Sequence, residues 1–325
     1  MVGFIARRLV QSLFVLFVMT LIVFFGVNVI GNPVYIFASS ECNQACVNGI
    51  IADLGLDRPV WEQYFVFVGN ALSGDLGNSF TFGVPAMSLI WERLPATLEL
   101  AFAALVIALG LGLPLGILAG LRPDAISSRL IMGVSTLGFS VPVFWIGLIL
   151  IMVFSVQLGW LPSIGRGDTV SILGLEASFL TLDGLSHLLM PAFTLSLFML
   201  AMVIRLTRAG MREVLHADYV KFARANGISE TRILSVHVMK NILIPIVTVL
   251  GMEFGGVIAF AVVTESIFSW PGVGKMLIDA IAVLDRPLIV AYLVFVVFMF
   301  VIINLLVDIL YSVLDPRVRL GGGAR

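Results

Sequence analysis

Charged residues, histidines and cysteines are all scarce in this chain of 325 residues. Only 12% of the residues are charged, and there are three histidines and two cysteines. The sequence holds no HExxH or GxSxG motif, and these spacings identify common zinc hydrolases and serine hydrolases. We therefore expect no catalytic residues, no metal site and no enzyme activity of the chain's own.

Hydrophobic residues dominate the composition instead. They make up 60% of the chain, and the mean hydropathy is +1.09, which is typical of integral membrane proteins. The net charge of −1 gives no indication of a nucleic-acid partner, and we expect none. The predicted environment is a lipid membrane.

Six hydrophobic segments are long enough to cross a bilayer as helices, which takes about 20 residues. The first runs from Leu9 to Ile30 without a charge, and it exceeds the roughly 7 to 15 residues of a signal-peptide core, so we expect it to remain uncleaved. The other five are predicted at 96–121, 130–158, 186–207, 242–268 and 287–311. The predicted fold class is an all-α polytopic membrane protein with six transmembrane helices.

Lysines and arginines are distributed unevenly between the two sides of such a protein. Fourteen of the nineteen lie in segments that the six spans place on one side, and the positive side of a membrane protein is usually cytoplasmic. We therefore expect both termini in the cytoplasm. The predicted organisation is a first helix within 1–30, an extracytoplasmic segment at 31–93, a membrane core at 94–311 and a cytoplasmic tail at 312–325.

The two cysteines, Cys42 and Cys46, lie four residues apart in the segment predicted outside the cytoplasm. Extracytoplasmic compartments permit disulfides, and two residues at this spacing face each other if the segment is helical. A disulfide between them is one prediction, and two unpaired thiols are the alternative. We expect no metal there, because no histidine lies nearby.

The longest polar, basic interval between hydrophobic blocks runs from Glu213 to Pro245 and covers most of residues 208–241, the segment between the fourth and fifth predicted spans. Its apolar residues recur at helical spacing, which predicts two short amphipathic helices. Gly227 between them can take the left-handed conformation that ends a helix, and Ser229 is the predicted start of the second helix. A structured basic segment of this kind favours docking of a soluble partner. A plain positively charged cytoplasmic loop is the alternative interpretation.

Small residues and prolines mark two of the predicted spans. Gly112, Gly116 and Gly120 repeat every four positions in the second span, which allows close approach of another helix. Pro114 lies among them and Pro142 interrupts the third span, and each removes a helical hydrogen bond and favours a kink. We interpret these features as ordinary membrane packing rather than as a gating hinge.

The segment PGVGK, residues 271–275, has only a superficial similarity to a phosphate-binding loop. Ser269 stands where that motif has its first glycine, and Met276 stands where it has Ser or Thr. The chain is therefore predicted not to hydrolyse nucleotide by itself.

Nine short segments, taken in order, carry a resemblance to a known family. They are RRL, LGLDRP, GDLGNSF, RLPATLELA, GWLPSIG, ARANG, FSWPGVG, NLLVDILY and LDPRVR. In this order they resemble the binding-protein-dependent ABC importer permeases of the dipeptide, oligopeptide and nickel type. The resemblance extends over nearly the whole chain and implies the type I importer fold.

The resemblance also implies an assembly in a bacterial inner membrane. It would comprise this chain, a second homologous permease, two cytoplasmic ATPase subunits that use ATP and Mg²⁺, and an extracytoplasmic substrate-binding protein. This chain itself would bind no cofactor. The segment 208–241 would be the loop that couples the ATPases to the spans, with these contact residues: Asp218, Tyr219, Phe222, Ala223, Arg224, Ala225, Asn226 and Gly227.

Among these residues, Ala223 and Gly227 are predicted to allow close approach of the partner. Tyr219 and Phe222 would anchor the contact, and Arg224 would meet acidic or polar groups. Asn226 departs from the lysine that the family commonly has there.

Two other segments depart from the family's pattern. The run Leu284–Pro287 stands where the family often has Arg-Asp-aromatic-Pro. Residues 167–183 form an expanded segment between the third and fourth spans.

Four acidic residues lie in or near the predicted spans, namely Glu99, Glu253, Glu265 and Asp308. Insertion of an acid at the centre of a span costs about 2.5–3.5 kcal/mol. Only Glu253 is far from both ends of its span, so it either lines a translocation path or binds a cation, or it has a protonated or hydrogen-bonded structural role. We interpret the other three as anchors near the membrane interfaces.

The predicted function is ATP-driven import of di- or oligopeptides, with nickel or metal-chelate import as the alternative. An ion-coupled secondary transporter that works through Glu253 is a less favoured alternative. Such transporters usually contain internal repeats, and none is evident between residues 1–160 and 161–325.

Overall fold

The computed structural model describes residues 2–29, 43–53, 57–172 and 174–314. The predicted tail at 312–325 lies outside the described residues from 315 onward. The helices are α1 Val2–Val29, α2 Gln44–Asp53, α3 Val60–Leu72, α4 Ala86–Leu121, α5 Ile126–Ser140, α6 Val143–Gln157, α7 Leu182–Leu215, α8 Asp218–Ala225, α9 Glu230–Ile267, α10 Val273–Ala282 and α11 Arg286–Leu314. The two strands are β1 Val170–Ile172 and β2 Leu175–Ala177. α6 is π-helical over Ile151–Gln157, and α9 over Ile233–Val238.

Within the described residues, 5 helices are long and apolar enough to cross a membrane, namely α1, α4, α7, α9 and α11. The bent pair of α5 and α6 is a sixth span if the pair counts as one. The predicted all-α polytopic fold is confirmed. Several helices extend beyond the predicted spans: α4 begins at Ala86 and α7 continues to Leu215. A helix once begun gains a hydrogen bond with each added residue, so it does not have to stop where the hydrophobic run stops.

The predicted third span, 130–158, is not one continuous helix. α5 and α6 meet at an angle of 106°. Val141 between them is extended, with φ −86° and ψ 134°, because the ring of Pro142 disfavours the helical conformation of the residue before it. The interruption predicted at Pro142 is therefore confirmed, and the continuity predicted across it was wrong. By contrast, Pro114 lies inside an unbroken α4.

The chain divides into two compact units, the first comprising Met1–Glu92 and Leu277–Val301. Within it, aromatic residues join α1 to α3. The hydroxyls of Thr20 and Tyr64 lie 2.9 Å apart, and the rings of Phe24 and Tyr64 meet edge to face with centroids 5.5 Å apart. Tyr64 is buried, so α3 is fixed against α1 by packing and by one polar contact.

The second unit comprises Arg93–Met276 and Ile302–Arg325. Its core cluster includes buried residues of α4, α7, α8 and α9. A Cβ added at Gly112, Gly116 or Gly120 of α4 would overlap side chains of α7. The close helix approach predicted from this glycine repeat is confirmed, because any larger residue would force the two helices apart.

The expanded segment 167–183 builds a β-hairpin before α7. β1 and β2 pair antiparallel, with Val170 opposite Ala177. The hydroxyl of Thr181 accepts a 2.8 Å hydrogen bond from the N–H of Gly184, which caps the start of α7. The extra residues therefore form a defined structure that leads directly into a membrane span.

Candidate functional site

α8 ends in a Schellman turn at Gly227. This residue has φ +75°, its N–H donates to the carbonyl of Arg224 at 2.9 Å, and the N–H of Ile228 donates to the carbonyl of Ala223 at 3.2 Å. The two bonds satisfy carbonyls that the end of a helix would otherwise leave unpaired. The left-handed turn predicted at Gly227 is confirmed, and a Cβ added there would meet open space.

The segment 208–241, for which two short amphipathic helices are predicted, is mostly helical. α7 continues into it, and α9 begins within it directly after Ser229, as predicted. The second amphipathic helix is not separate, because it continues through the π-helical turn Ile233–Val238 into a membrane span. Ile233 and Val238 are fully buried. The apolar periodicity of this part therefore reflects packing against the chain's own core.

α8 has one buried face and one exposed face. Val220 and Ala223 are buried in the core of the second unit. Phe222, in contrast, is 72% exposed and Tyr219 is 46% exposed. The position of Ala223 differs from the prediction that it would admit a partner, since its small side chain fits the chain's own core. We define the α8 surface as Tyr219, Phe222 and the turn at Gly227.

The charged residues of α8 are paired within the chain. Arg224 donates to Glu230 from Nε at 2.7 Å and from Nη2 at 3.2 Å, and Lys221 donates to Asp218 at 2.9 Å. The Arg224 side chain is 42% exposed beside Glu230, and its predicted contact with acidic or polar groups of a partner stays a prediction. Such exposed pairs contribute little to stability, but this one fixes the direction of the arginine.

Ala225 and Asn226 complete the predicted set at the end of α8. Ala225 is the last helical residue and is exposed. The side chain of Asn226 donates to the carbonyl of Phe222 at 2.8 Å, and the side chain of Asn241 on α9 donates to the hydroxyl of Tyr219 at 3.0 Å. The eight predicted coupling residues therefore belong to one short element that is bonded to α9.

A second cluster surrounds Glu265 near the end of α9. Its carboxylate is fully buried; it accepts a 2.6 Å bond from the hydroxyl of Thr97 and a 2.9 Å bond from the N–H of Lys275. The indole of Trp270, also fully buried, donates to the carbonyl of Ala96 at 2.8 Å. Glu265 therefore ties the chain after α9 to the start of the second span, while its predicted place near a membrane interface stays a prediction.

Glu99 holds the hairpin that follows α6. One oxygen accepts from Arg166 Nε at 3.0 Å and Nη2 at 2.6 Å. The other accepts from Ser178, through N–H at 2.7 Å and hydroxyl at 2.8 Å, and from the N–H of Phe179 at 2.9 Å. Because both oxygens of Glu99 accept several hydrogen bonds, the cost of burying this ion pair is offset. Glu99 thus ties α4 to the segment before α7, and its predicted place near a membrane interface stays a prediction.

A third carboxylate, Asp285, belongs to the first unit and lies in the turn between α10 and α11. It is 1% exposed and accepts bonds from the hydroxyl of Ser79 at 2.5 Å and from the N–H groups of Phe80 and Thr81 at 3.1 Å each. The residue before it, Leu284, has φ +58, a conformation that costs a branched side chain about 1 kcal/mol or more. The hydrogen bonds of Asp285 hold the chain in that turn.

The pKa of Asp285 gives a testable pH dependence. Burial by itself would raise this pKa, but the hydrogen bonds from Ser79, Thr81 and Phe80 outweigh burial and lower it below the usual 3.8. A carboxyl whose pKa is lowered on folding stabilises the fold above its ordinary pKa, and this contribution disappears as the pH falls through the lowered value. We therefore expect Asp285→Asn to destabilise the purified subunit at pH 7 by about 1–3 kcal/mol.

The matching measurement is the melting temperature of wild type and Asp285→Asn between pH 3 and 8, with Asp75→Asn as a control. Asp75 is an exposed aspartate of the same unit. The difference in melting temperature between wild type and Asp285→Asn should become smaller below about pH 4. A gap of constant size across this range would contradict the ionised role of Asp285.

Glu253 differs from these carboxylates. It lies within α9 and is partly exposed, and it makes no hydrogen bond or ion pair with any other described residue. The structure therefore supplies no partner from this chain, within its described part, for the acid that the sequence places deepest in the membrane.

Cys42 lies outside the described residues, so its disulfide with Cys46 stays a prediction. Cys46 lies in α2, where its N–H donates to the side chain of Asn43 at 3.0 Å. In the part of the chain that the structure describes, no three His, Cys, Asp or Glu side chains are grouped so that they could hold a metal ion.

Comparison with known protein families identifies the chain. Residues 112–320 match the family described as the binding-protein-dependent transport system inner membrane component. Residues 1–101 match the N-terminal family of the same transport systems. The chain belongs to this permease family. The resemblance inferred from its short segments is thus confirmed, and the permease is a multi-pass inner-membrane protein.

Several curated proteins match the permease over its whole length. The di/tripeptide transport system permease protein DppB of Pseudomonas aeruginosa is 40% identical, covering 98% of this chain and 99% of that protein. The dipeptide transport system permease protein DppB of Escherichia coli K12 is 37% identical, with the same coverage. The glutathione transport system permease protein GsiC of Escherichia coli K12 is 34% identical, again over 98% and 99%.

A solved structure shares the fold. A chain of the MetNI methionine ABC transporter, solved in inward-facing conformations, matches with a TM-score of 0.55 and 16% identity. The match covers 70% of the permease and 97% of that chain. At this identity the likeness shows the fold alone.

The family segments of the permease meet in the clusters described above. GDLGNSF and the run Leu284–Pro287 meet at Asp285, while RLPATLELA and FSWPGVG meet at Glu265. Sequence reasoning did not identify Asp285 or Thr97 as anchors. The signal that could have found Thr97 was its position inside the recognised segment RLPATLELA, and for Asp285 it was the position inside the run Leu284–Pro287, which departs from the family's pattern.

Proposed function

We propose that the permease is one of two membrane subunits of an ATP-driven importer of small peptides. The observation that carries this proposal is the full-length likeness to permeases named for dipeptides and di/tripeptides. The third relative is named for glutathione, which is itself a tripeptide. Nickel or metal-chelate import is the alternative that the test below separates.

The proposed assembly contains a second homologous permease, two cytoplasmic ATPase subunits and an extracytoplasmic binding protein. Dependence on a binding protein is part of the family's description. ATP and Mg²⁺ would be bound by the ATPases and not by this chain. With both termini in the cytoplasm, the segment 208–241 faces the ATPases, and the unequal distribution of lysine and arginine supports this orientation.

The α8 surface is the proposed docking element for an ATPase. Phe222 offers a large exposed aromatic side chain, which is the residue type that often carries the binding energy of an interface. Gly227 adds a turn with open space around it, where a partner's backbone can approach closely.

The buried face of α8 is the proposed route of transmission. Val220 and Ala223 are packed in the same core cluster as residues of α7 and α9. Because packed cores deform little, a displacement of α8 would move the cytoplasmic ends of these spans as a unit. ATP would thus bias inward-facing and outward-facing states through its effect on the docked ATPases.

Reconstitution of the whole importer in liposomes tests the proposed function. We expect uptake of a radiolabelled dipeptide that requires the ATPases, ATP and the binding protein together. If the importer takes up Ni²⁺ or its chelates but no dipeptide, the substrate is the metal and not a peptide. Dipeptide uptake that persists without the ATPases would favour the ion-coupled alternative.

A further inference from the structure

Glu253 occupies the centre of a membrane span. It is the middle residue of the 29-residue α-helical stretch Met239–Ile267. At about 1.5 Å per residue, roughly 21 Å of helix lie on either side of it. The carboxylate therefore lies near the middle of a hydrocarbon layer that is about 30 Å thick.

The other membrane-associated glutamates with described contacts have their donors inside the chain, and Glu253 does not. Arg166 and Ser178 satisfy Glu99, and Thr97 donates to Glu265. Among the described residues, none donates to Glu253. An ionised group at this depth requires water, a cation or a partner's polar group. The carboxylate of Glu253 therefore needs a partner from outside the described residues of this chain.

The surroundings of Glu253 on α9 are open and apolar. Gly256 and Phe260 lie three and seven positions further along the helix, on the same side as Glu253. A Cβ added at Gly256 would meet nothing within 4 Å, and Phe260 is 77% exposed. The adjacent Met252 is 56% exposed. The carboxylate is thus a single charged group on an accessible, otherwise apolar stretch of the helix.

We propose that Glu253 lines the translocation path and binds the terminal ammonium group of the peptide. This inference rests on the proposed function, because the water-filled route through an importer's membrane domain is its substrate path. Peptides of different sequence share the ammonium group and differ in their side chains. One carboxylate with apolar surroundings can bind the shared group by a charge-assisted hydrogen bond and accept varied side chains beside it. A single such contact also lets the peptide leave.

Uptake by the whole reconstituted importer tests the role of the charge. We expect Glu253→Gln to lower kcat/KM for glycylleucine uptake by about tenfold or more, which is the effect of losing one hydrogen bond to a charged group. Glu253→Asp, which keeps the charge, should retain most of the activity. Both variants should still purify with the ATPases. Uptake by Glu253→Gln at the wild-type rate would overturn the proposal.

Cysteine accessibility in the same complex, without the binding protein, tests where Glu253 lies and what it binds. Glu253→Cys should react with a cationic methanethiosulfonate reagent. Ile258→Cys, at a buried position of α9, should not react. The wild type measures the background labelling of Cys42 and Cys46. Millimolar glycylleucine should slow the reaction, and N-acetylglycylleucine should not. Labelling no faster than at Ile258→Cys, or equal protection by both peptides, would overturn the proposal. If the wild-type importer shows no ATP-driven peptide uptake, the proposed function itself is overturned.

Discussion

The variant Phe222→Asp should purify without the ATPase subunits that we propose as partners of the wild-type permease. Phe222 is 72% exposed, so the substitution leaves the packing of this chain intact and changes only the α8 surface. A carboxylate cannot occupy an apolar groove of a partner without a large desolvation cost. Loss of a central aromatic contact typically weakens an interface by about 2–4 kcal/mol, which is roughly a 30-fold to 1,000-fold loss of affinity. Co-purification and ATP-driven dipeptide uptake measure the effect.

Two matched variants show whether the effect is specific. Phe179→Asp changes a phenylalanine just after the hairpin that is 54% exposed, and the predicted topology places it on the other side of the membrane. It should keep the ATPases bound. Phe222→Leu retains an apolar side chain and should restore most of the association. If Phe222→Asp binds the ATPases as the wild type does, the α8 surface is not the docking element.

Gly272→Ala should destabilise the permease more than any substitution at an exposed site. A Cβ at this position would overlap the carboxylate of Glu265, which is fully buried and held by Thr97 and Lys275. The variant must therefore either shift the turn at Gly272 or break the hydrogen bonds that Glu265 accepts from Thr97 and Lys275. Overpacking costs about 1–3 kcal/mol, and an unsatisfied buried carboxylate adds a similar amount. The melting temperature of the purified subunit in detergent measures the combined loss.

Gly110→Ala is the control for the added methyl group. Gly110 is a helical position of α4 where a Cβ would meet nothing within 4 Å, so alanine there should be neutral or slightly stabilising. The double variant Gly272→Ala with Glu265→Ala supplies the second test. Because the two residues are in contact, its cost should be smaller than the sum of the single costs. Strict additivity, or an unchanged melting temperature in Gly272→Ala, would contradict this account of the turn.

Much of the architecture could be predicted because its causes are local. The length of an apolar run decides whether a helix can cross a membrane, and the missing Cβ at Gly227 decides where α8 can turn. Likewise, the ring of Pro142 acts on the residue directly before it. Helix limits were less accurate, as at Leu215, because a helix continues beyond the membrane when its next turns pack on the core. The 106° bend at Pro142 also depends on how α5 and α6 each pack, and proline chemistry fixes only that an interruption occurs.

Part of the candidate site was also predictable. The exposure of Tyr219 and Phe222 agrees with their predicted role as anchors, while Ala223 lies in the core. An alanine on an amphipathic helix is compatible with either face, so its sequence context does not settle which surface covers it. Arg224 illustrates the same limit, because Glu230 lies beyond the intervening turn and comes into range only when Gly227 reverses the chain.

The sequence by itself determined the membrane environment, the spans, the left-handed turn at Gly227 and the family. Tertiary structure alone decided how the carboxylates are used. Ser79 and Asp285 are 206 residues apart, and Thr97 and Glu265 are 168 apart. Periodicity and propensity act over a few residues, whereas such pairs depend on where packing brings distant segments together. The same packing left Glu253 without a donor among the described residues, which no pattern within its own span could have revealed.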